Sequence, residues 1–318
     1  HIKILGLSIL LAKATHDNLN FIVFDDIVNA DGIVVVKKGT LIEKATTGND
    51  GTATFLADLP IGFSYDIKEE QAPSGYVRNT KDVFTFDFAY TNDREAVVSF
   101  SHTFVNERVK AKISLQKKDK ETNTNQPQGD ATLEKAVYGL YAREDIVHPD
   151  GTTGVIYPAG EQVATLTTDE KGMASVEDLY LGKYFVKEIT PPVGYLADET
   201  EHDLVCSYEG DLVAIVKRDC VSLEQVKKQP FQIIKAANNG NTDAELLEGA
   251  GFSAYLESSL KKKADGTYDF DSAKPVVIGE NGATEMFTDK KGYACSIPLP
   301  YGTYIVRETT TPHNFKPV

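Results

Sequence analysis

The chain has no tryptophan and only three cysteines among its 318 residues. Cys206, Cys220 and Cys295 are odd in number, and their spacing matches no metal motif. A disulfide framework is therefore disfavoured. The three read as small apolar core fillers. The missing tryptophan argues weakly against a sugar-binding platform, although 15 tyrosines leave aromatic surfaces open. Long hydrophobic runs are also missing. The run Ile4–Ala12 is about half of the ~20 residues that cross a bilayer, and it lacks a charged region and a cleavage site. It reads as a β-strand, with no membrane contact in this segment. No sorting motif or apolar tail ends the chain, so an internal piece of a longer protein is expected. No Gly/Ser-rich or Pro-rich spacer interrupts it. The net charge is −14, yet the acidic residues are scattered. That favours a solvated surface and argues against nucleic-acid or anionic-membrane partners. The six histidines show no metal or triad pairing. Glu69 and Glu70 point to opposite faces of a strand and make no glycosidase pair. Asp265–Asp271 lacks the spacing of a calcium loop and reads as a hairpin turn. No cofactor and no metal is expected.

A threefold pattern is present. Tyr65-Asp66-Ile67-Lys68-Glu69, Tyr184-Phe185-Val186-Lys187-Glu188 and Tyr304-Ile305-Val306-Arg307-Glu308 recur with their glutamates 119 and 120 residues apart. Alternate residues of a strand face the same way. Each glutamate therefore shares a face with two apolar residues: Tyr65 and Ile67, Tyr184 and Val186, Tyr304 and Val306. A carboxylate on a core face is costly unless it is paired or neutral. The turns Thr47–Gly51, Thr168–Gly172 and Thr288–Gly292 keep the same period, as do Gly62, Gly182 and Gly302. So do the proline turns Gln71–Tyr76, Thr190–Tyr195 and 311–315. Short runs of Val, Ile, Thr, Tyr and Phe between such turns predict an all-β sandwich per repeat.

Each repeat opens with a lysine closing an apolar strand: Lys13 after Ile9 and Leu11, Lys117 after Ile113 and Leu115, Lys235 after Phe231 and Ile233. Alternation places each lysine on the apolar face. For any one pair, a buried salt bridge or a snorkelling lysine is the plain reading; three matched pairs weigh against it. A third polar residue joins the first repeat. In a predicted last strand, Val98–Asn106, Asn106 shares a face with Val98, Phe100 and Phe104. It lies eleven residues before Lys117. Eleven residues before Lys235 stands Glu224, with Asp219 an alternative on the face of Val221 and Leu223. The third repeat shows no equivalent.

Lysine on the first strand, glutamate before a Pro–Gly–aromatic turn and asparagine on the last strand resemble the collagen-adhesin B-type (SpaA-like, prealbumin-like) domains of Gram-positive surface proteins and pilins. Leu247–Phe252 resembles that family's second-strand signature, and Leu133–Tyr138 is a weaker version. The resemblance implies a self-made isopeptide bond, with Lys13 as nucleophile, Asn106 as acceptor and Glu69 as the promoting acid. Burial suits both roles, because it disfavours the charged amine and the charged carboxylate alike. Ammonia leaves once per molecule, so this is maturation rather than turnover, and no enzyme activity is expected. By the same resemblance Glu188 and Glu308 are the promoting acids of the other repeats. Lys117, Glu224, Asp219 and Lys235 are crosslink or ionic-cluster candidates.

The expected architecture is three tandem immunoglobulin-like or prealbumin-like β-sandwiches in an elongated array, spanning 1–107, 108–225 and 226–318. The last is truncated at its C-terminus. The expected role is a structural stalk or pilin segment of an extracellular, cell-wall-anchored surface protein, with other domains or subunits as partners. The alternative is an adhesin whose domains bind a host extracellular protein directly.

Overall fold

The computed structural model describes residues 7–10, 17–90, 98–148, 153–238, 244–313 and 315–316, with side chains from 17 onward. It is almost entirely β. Among the described residues the only helical elements are two 3-10 turns, Glu257–Ser259 and Glu280–Gly282. No helix there is long and apolar enough to cross a membrane.

Each repeat builds its glutamate strand into an antiparallel sheet. In the first, the order is Leu41–Thr46, Asn18–Val23, Phe63–Gln71, Val83–Phe88. The second repeats it with Gln162–Thr167, Val137–Ala142, Gly182–Thr190 and Glu201–Cys206. The third has three strands: Met286–Phe287, Gly251–Leu256 and Tyr304–Thr310. The opposing sheet is most complete in the second repeat, where Lys110–Asp119 is central. It pairs antiparallel with Met173–Leu179 and parallel with Ile215–Glu224 over ten residues. First and last strands thus lie side by side, Lys117 opposite Ser222 and Asp119 opposite Glu224. A separate apolar cluster fills each repeat. The first is rich in aromatics, with Phe21, Phe55, Tyr65, Phe86 and Phe104. The second centres on Ile113, Leu115, Tyr138, Leu140 and Tyr184. The third is smaller, around Ala250, Phe252, Ala254 and Ile278.

Alternation explains the burial. Along Lys110–Asp119 every second residue is buried, from Ala111 to Asp119. Fully burying Ile113 or Leu115 stabilises by about 1.5–3 kcal/mol each. An unpaired buried ammonium costs several kcal/mol. The strand can bury Lys117 only by pairing it.

Three expectations need correction. Residues 98–106 form no β-ladder with the described residues, although their burial alternates and Phe104 is 1% exposed. Among the described residues the opening strand Leu7–Leu10 pairs only with Thr52–Phe55. The segment therefore packs by its side chains, and pairing resumes where Glu107–Arg108 meets Tyr76–Val77. Val306 is 39% exposed, because among the described residues no fourth strand flanks the glutamate strand of the third repeat as it does in the other two. Cys295 is exposed on the outer face of Tyr293–Cys295, whereas Cys206 and Cys220 are core residues. The 265–271 segment is a hairpin, with Lys261–Lys262 paired to Tyr268–Asp269.

The Thr–Gly turns hold the lysine strands in place. The Lys117 N–H donates to Gly172 O at 2.8 Å. Gly172 has φ +73°, and a Cβ there would sit 2.8 Å from Lys117 O. Gly292 packs on the Lys235 carbonyl in the same way. A left-handed φ and a close backbone approach both demand glycine. Gly172→Ala is expected to destabilise the protein by roughly 2–4 kcal/mol, combining backbone strain with overpacking. Gly32→Ala, at φ +77° with nothing within 4 Å, carries strain alone. Equal losses for the two variants in urea denaturation would refute the packing argument.

Candidate functional site

The repeated glutamates lie at equivalent places in the three sheets. Leu19, Tyr138 and Phe252 stand opposite Glu69, Glu188 and Glu308 respectively. Glu69 Oε2 accepts the Asn79 N–H and Glu188 Oε2 accepts the Asp198 N–H, both at 3.0 Å and both ten residues on. The closing segments correspond as well. Arg108 stands opposite Tyr76 and Val226 opposite Tyr195. Asn106 and Glu224, each two residues earlier, therefore occupy the same position.

In the first repeat, Asn106 Nδ2 donates to Glu69 Oε1 at 2.7 Å and to Val77 O at 3.0 Å. Asn106 Oδ1 is buried with no hydrogen-bond partner among the described residues. Glu69 is 5% exposed, and burial raises its pKa above the usual carboxylate range. Lys13 lies outside the described residues.

In the second repeat, Lys117, Glu188 and Glu224 meet in the core. Lys117 Nζ lies 3.2 Å from Glu188 Oε1 and in closer contact with Glu224 Oε1. The side chains of Lys117 and Glu224 are wholly buried. The Tyr138 hydroxyl donates to Glu224 Oε1 at 2.5 Å, and the Ser222 hydroxyl reaches the same oxygen at 3.2 Å. Asp219 is not part of this cluster. Its strand alternates, and Asp219 lies on the exposed face while Cys220, Ser222 and Glu224 point inward.

The third repeat brings Lys235 Nζ to 2.9 Å from Glu308 Oε2, with side chains 19% and 11% exposed. Glu308 Oε1 has no hydrogen-bond partner among the described residues. This is the plain salt bridge, wetter than its counterpart in the second repeat.

Sequence reasoning missed Tyr138 and Ser222. The comparable positions in the first repeat are Leu19 and Phe104, both apolar. The repeat that carries a carboxylate at the acceptor position thus also carries two hydroxyl donors for it. An aligned comparison of the three repeats would have exposed this. Asp119 was also missed. It is 0% exposed but satisfied, by Tyr195 OH on Oδ2 at 2.9 Å and by the N–H groups of Glu121 and Thr122 on Oδ1. Its work is to lock the loop after the lysine strand. Among the described residues no His, Cys, Asp and Glu cluster could hold a metal ion.

Burial first, and then the neighbouring Glu224, push Glu188 up to about 7. The folded protein keeps this proton to about pH 7, while an unfolded glutamate releases it near pH ~4.3. The stability from this group is therefore fully present below the unfolded value and lost as pH rises through the folded one. Glu188→Gln is expected to flatten the fall in thermal stability between pH 5 and 8. An unchanged slope would show that the proton resides elsewhere.

Against known proteins, the model of the SpaA prealbumin-like fold domain matches residues 13–102 and 111–219, more than half of the chain. No curated protein matches. Among solved structures, the Bacillus anthracis TIE protein is similar at 24% identity with a TM-score of 0.56. The match covers 96% of this chain and 45% of that one, so this chain spans less than half the length of that protein. The Streptococcal ancillary pilin matches at 19% identity, over 98% of this chain and 92% of that one, with a TM-score of 0.28. The shaft pilin SpaA from Lactobacillus rhamnosus GG matches at 14% identity, over 70% and 98%, with a TM-score of 0.27.

Proposed function

Because the chain belongs to the SpaA prealbumin-like fold domain family, we propose that it is a structural stalk or pilin segment of a Gram-positive, cell-wall-anchored surface protein. In this reading its first domain is tied by a self-formed Lys13–Asn106 isopeptide bond. The observation that carries the crosslink is the Asn106 amide held by a buried Glu69, with Asn106 Oδ1 unpartnered. Glu69 touches Nδ2, the nitrogen that leaves. Its role in this geometry is to hand the departing ammonia its proton more than to polarise the carbonyl oxygen. Partners would be other domains or subunits of the same assembly. Direct binding of a host protein is the rival reading, and no observation here favours it.

The domains are proposed to span 1–107, 108–225 and 226–318, in an elongated array. Short, hydrogen-bonded junctions support this. Only Val109 separates the strand Glu107–Arg108 from Lys110–Asp119. The Arg78 N–H donates to Asp211 O at 2.7 Å across the first junction. The Asp130 N–H donates to Tyr301 O at 2.8 Å across the second. Small-angle scattering of the chain is expected to give a rod, and a compact cluster of three domains would refute the array.

Intact mass is expected to be one ammonia below the sequence mass, with a branched tryptic peptide joining Lys13 to Asn106. A linear peptide carrying unmodified Asn106 as the main species would overturn the crosslink. Glu69→Ala should fold but leave the bond unformed. A tie closing so long a loop stabilises by about 4–5 kcal/mol on the chain-entropy argument, so thermal stability should fall clearly.

For the second domain we propose a non-covalent cluster. Two carboxylates beside one lysine balance charge by sharing a single proton. Tyr138 and Ser222 supply the donors that a permanent Glu224 carboxylate needs. A mass deficit of one water mapped to Lys117 and Glu224 would refute this. Glu224→Asn restores the acceptor of the first domain and is expected to release ammonia in its turn.

A further inference from the structure

The first repeat buries a carboxyl at a strand position where the other two carry alanine. Asp17 is 0% exposed, and neither of its oxygens accepts a hydrogen bond from an N–H or hydroxyl donor among the described residues. Its backbone is fixed on both sides: the Asp17 N–H donates to Thr47 Oγ1 at 2.8 Å, and Asp17 O accepts the Thr47 N–H at 2.9 Å. The same turn threonine meets Ala136 in the second repeat and Ala250 in the third, where the alanine N–H donates to Thr168 and Thr288 Oγ1. Asp17 therefore occupies a position where the fold elsewhere carries a methyl group. A buried, unsatisfied carboxylate costs free energy that alanine would avoid, so it calls for a chemical reason.

The register supplies that reason. Asp17, Leu19, Phe21 and Val23 are the buried row of one strand. Tyr65, Ile67 and Glu69 are the buried row of its neighbour. Leu19 stands opposite Glu69 and Asn18 opposite Gln71, with a bulge between. Asp17 and Glu69 are thus diagonal neighbours on one buried face, within side-chain reach. Neither has a salt-bridge partner among the described residues. The nearby Arg78 is engaged with Asp211 of the second repeat, Nε to Oδ2 at 3.4 Å.

We propose that Asp17 and Glu69 form a carboxyl pair holding one proton at neutral pH, and that Asp17 is the positioning residue that holds this proton against Glu69 for bond formation at Asn106. The inference rests on the crosslink reading above. Two like charges this close in a dry site cannot both ionise. Burial, then Glu69, push Asp17 up to about 8. Among the described residues, the groups facing the pair are the Asn79 N–H from the following loop, the Asn106 amide from the closing segment, Thr47 from the turn, Arg78, and Asp211 and Tyr208 from across the junction. In the reaction, the neutral Lys13 amine attacks Asn106 Cγ. The new N–C bond forms, the Cγ–Nδ2 bond breaks, and one amine proton passes through the pair to the leaving group. Amine and primary amide become secondary amide and ammonia, and the pair ends with the single proton it began with.

Asp17→Ala tests this in a side chain that the other repeats already tolerate. The full chain, isolated unfolded, is diluted into refolding buffers from pH 5 to 8.5, and intact mass follows the loss of ammonia. Without Asp17 the site loses the group that holds its proton to about pH 8. Bond formation should slow by roughly tenfold or more near pH 8, on the scale of general acid–base effects, and by much less near pH 5. The alkaline limb of the rate profile should move to lower pH. Asp17→Asn keeps the shape without the shared proton and should behave like alanine. A rate and profile unchanged in Asp17→Ala overturns the pair.

If the wild-type chain never loses ammonia, the crosslink reading fails, and stability then judges the pair alone. A folded carboxyl with a raised pKa contributes stability at low pH that is lost as pH rises through the folded value. The wild-type first domain should lose stability between pH 5 and 8 more steeply than Asp17→Ala. His102, in contact with Asp82, is common to both chains, so the difference isolates Asp17. Parallel curves would again overturn the pair.

Discussion

A carboxylate on the inward face of the glutamate strand is the constraint on which each repeat depends. Glu69, Glu188 and Glu308 all end a row whose other members are apolar, and strand alternation leaves them no route to solvent without turning the whole row outward. Rotating the strand would expose Tyr65 and Ile67, or Tyr184 and Val186, whose burial is worth more than the glutamate costs. The glutamate therefore stays inside, and the surroundings must neutralise it. Every other feature of the sites follows from how that is done.

The three repeats solve the problem in three ways. The third uses a half-buried salt bridge, Lys235 with Glu308, in a sheet one strand short. The second surrounds a wholly buried Lys117 with Glu188, Glu224, Tyr138 and Ser222, so that charge balances inside the core and Glu224 Oε1 is hydrogen-bonded, while Glu224 Oε2 has no partner among the described residues. In the first, the glutamate meets an amide, Asn106, and a second carboxyl, Asp17, with Leu19 and Phe104 in place of hydroxyl donors. A site with two buried acids, of which only Glu69 accepts hydrogen bonds among the described residues, is poorly suited to holding two permanent charges. It is well suited to holding a proton next to an amide. The same scaffold thus supports an ion pair, a proton-sharing cluster and an arrangement fit for amide exchange, and a few side chains separate them.

Rigidity reaches these sites through the backbone. The turn glycines press against the lysine carbonyls, and the proline turns close over the ends of the glutamate strands. At the first junction that proline turn is also the docking surface for the second repeat: the Ala72 N–H and Arg78 both bind Asp211. The site of one repeat is therefore braced by the next, and load passed along the chain would cross hydrogen bonds and an ion pair instead of a free linker.

Period-two alternation and turn chemistry made the sheets, the repeat and the buried lysine and glutamate rows legible from residues alone, because strand geometry assigns a face to each residue without reference to its partners. The identity of Glu224 as the counterpart of Asn106 followed from chain distance, for the same reason of repeated geometry. Partnering was not legible. Asp219 and Glu224 are both acidic and both on one strand, but only the parallel register against Lys110–Asp119 shows that Glu224 turns inward and Asp219 outward. Residues 98–106 alternate as a strand should, yet form no ladder with the described residues, since alternation fixes a face and not a hydrogen-bonding neighbour. Tyr138, Ser222 and Asp17 looked like ordinary residues until the sheet put them beside a glutamate. The sequence by itself determined which side chains must be buried. Only the tertiary structure decided which buried charges meet, because burial is set along one strand while pairing is set between strands.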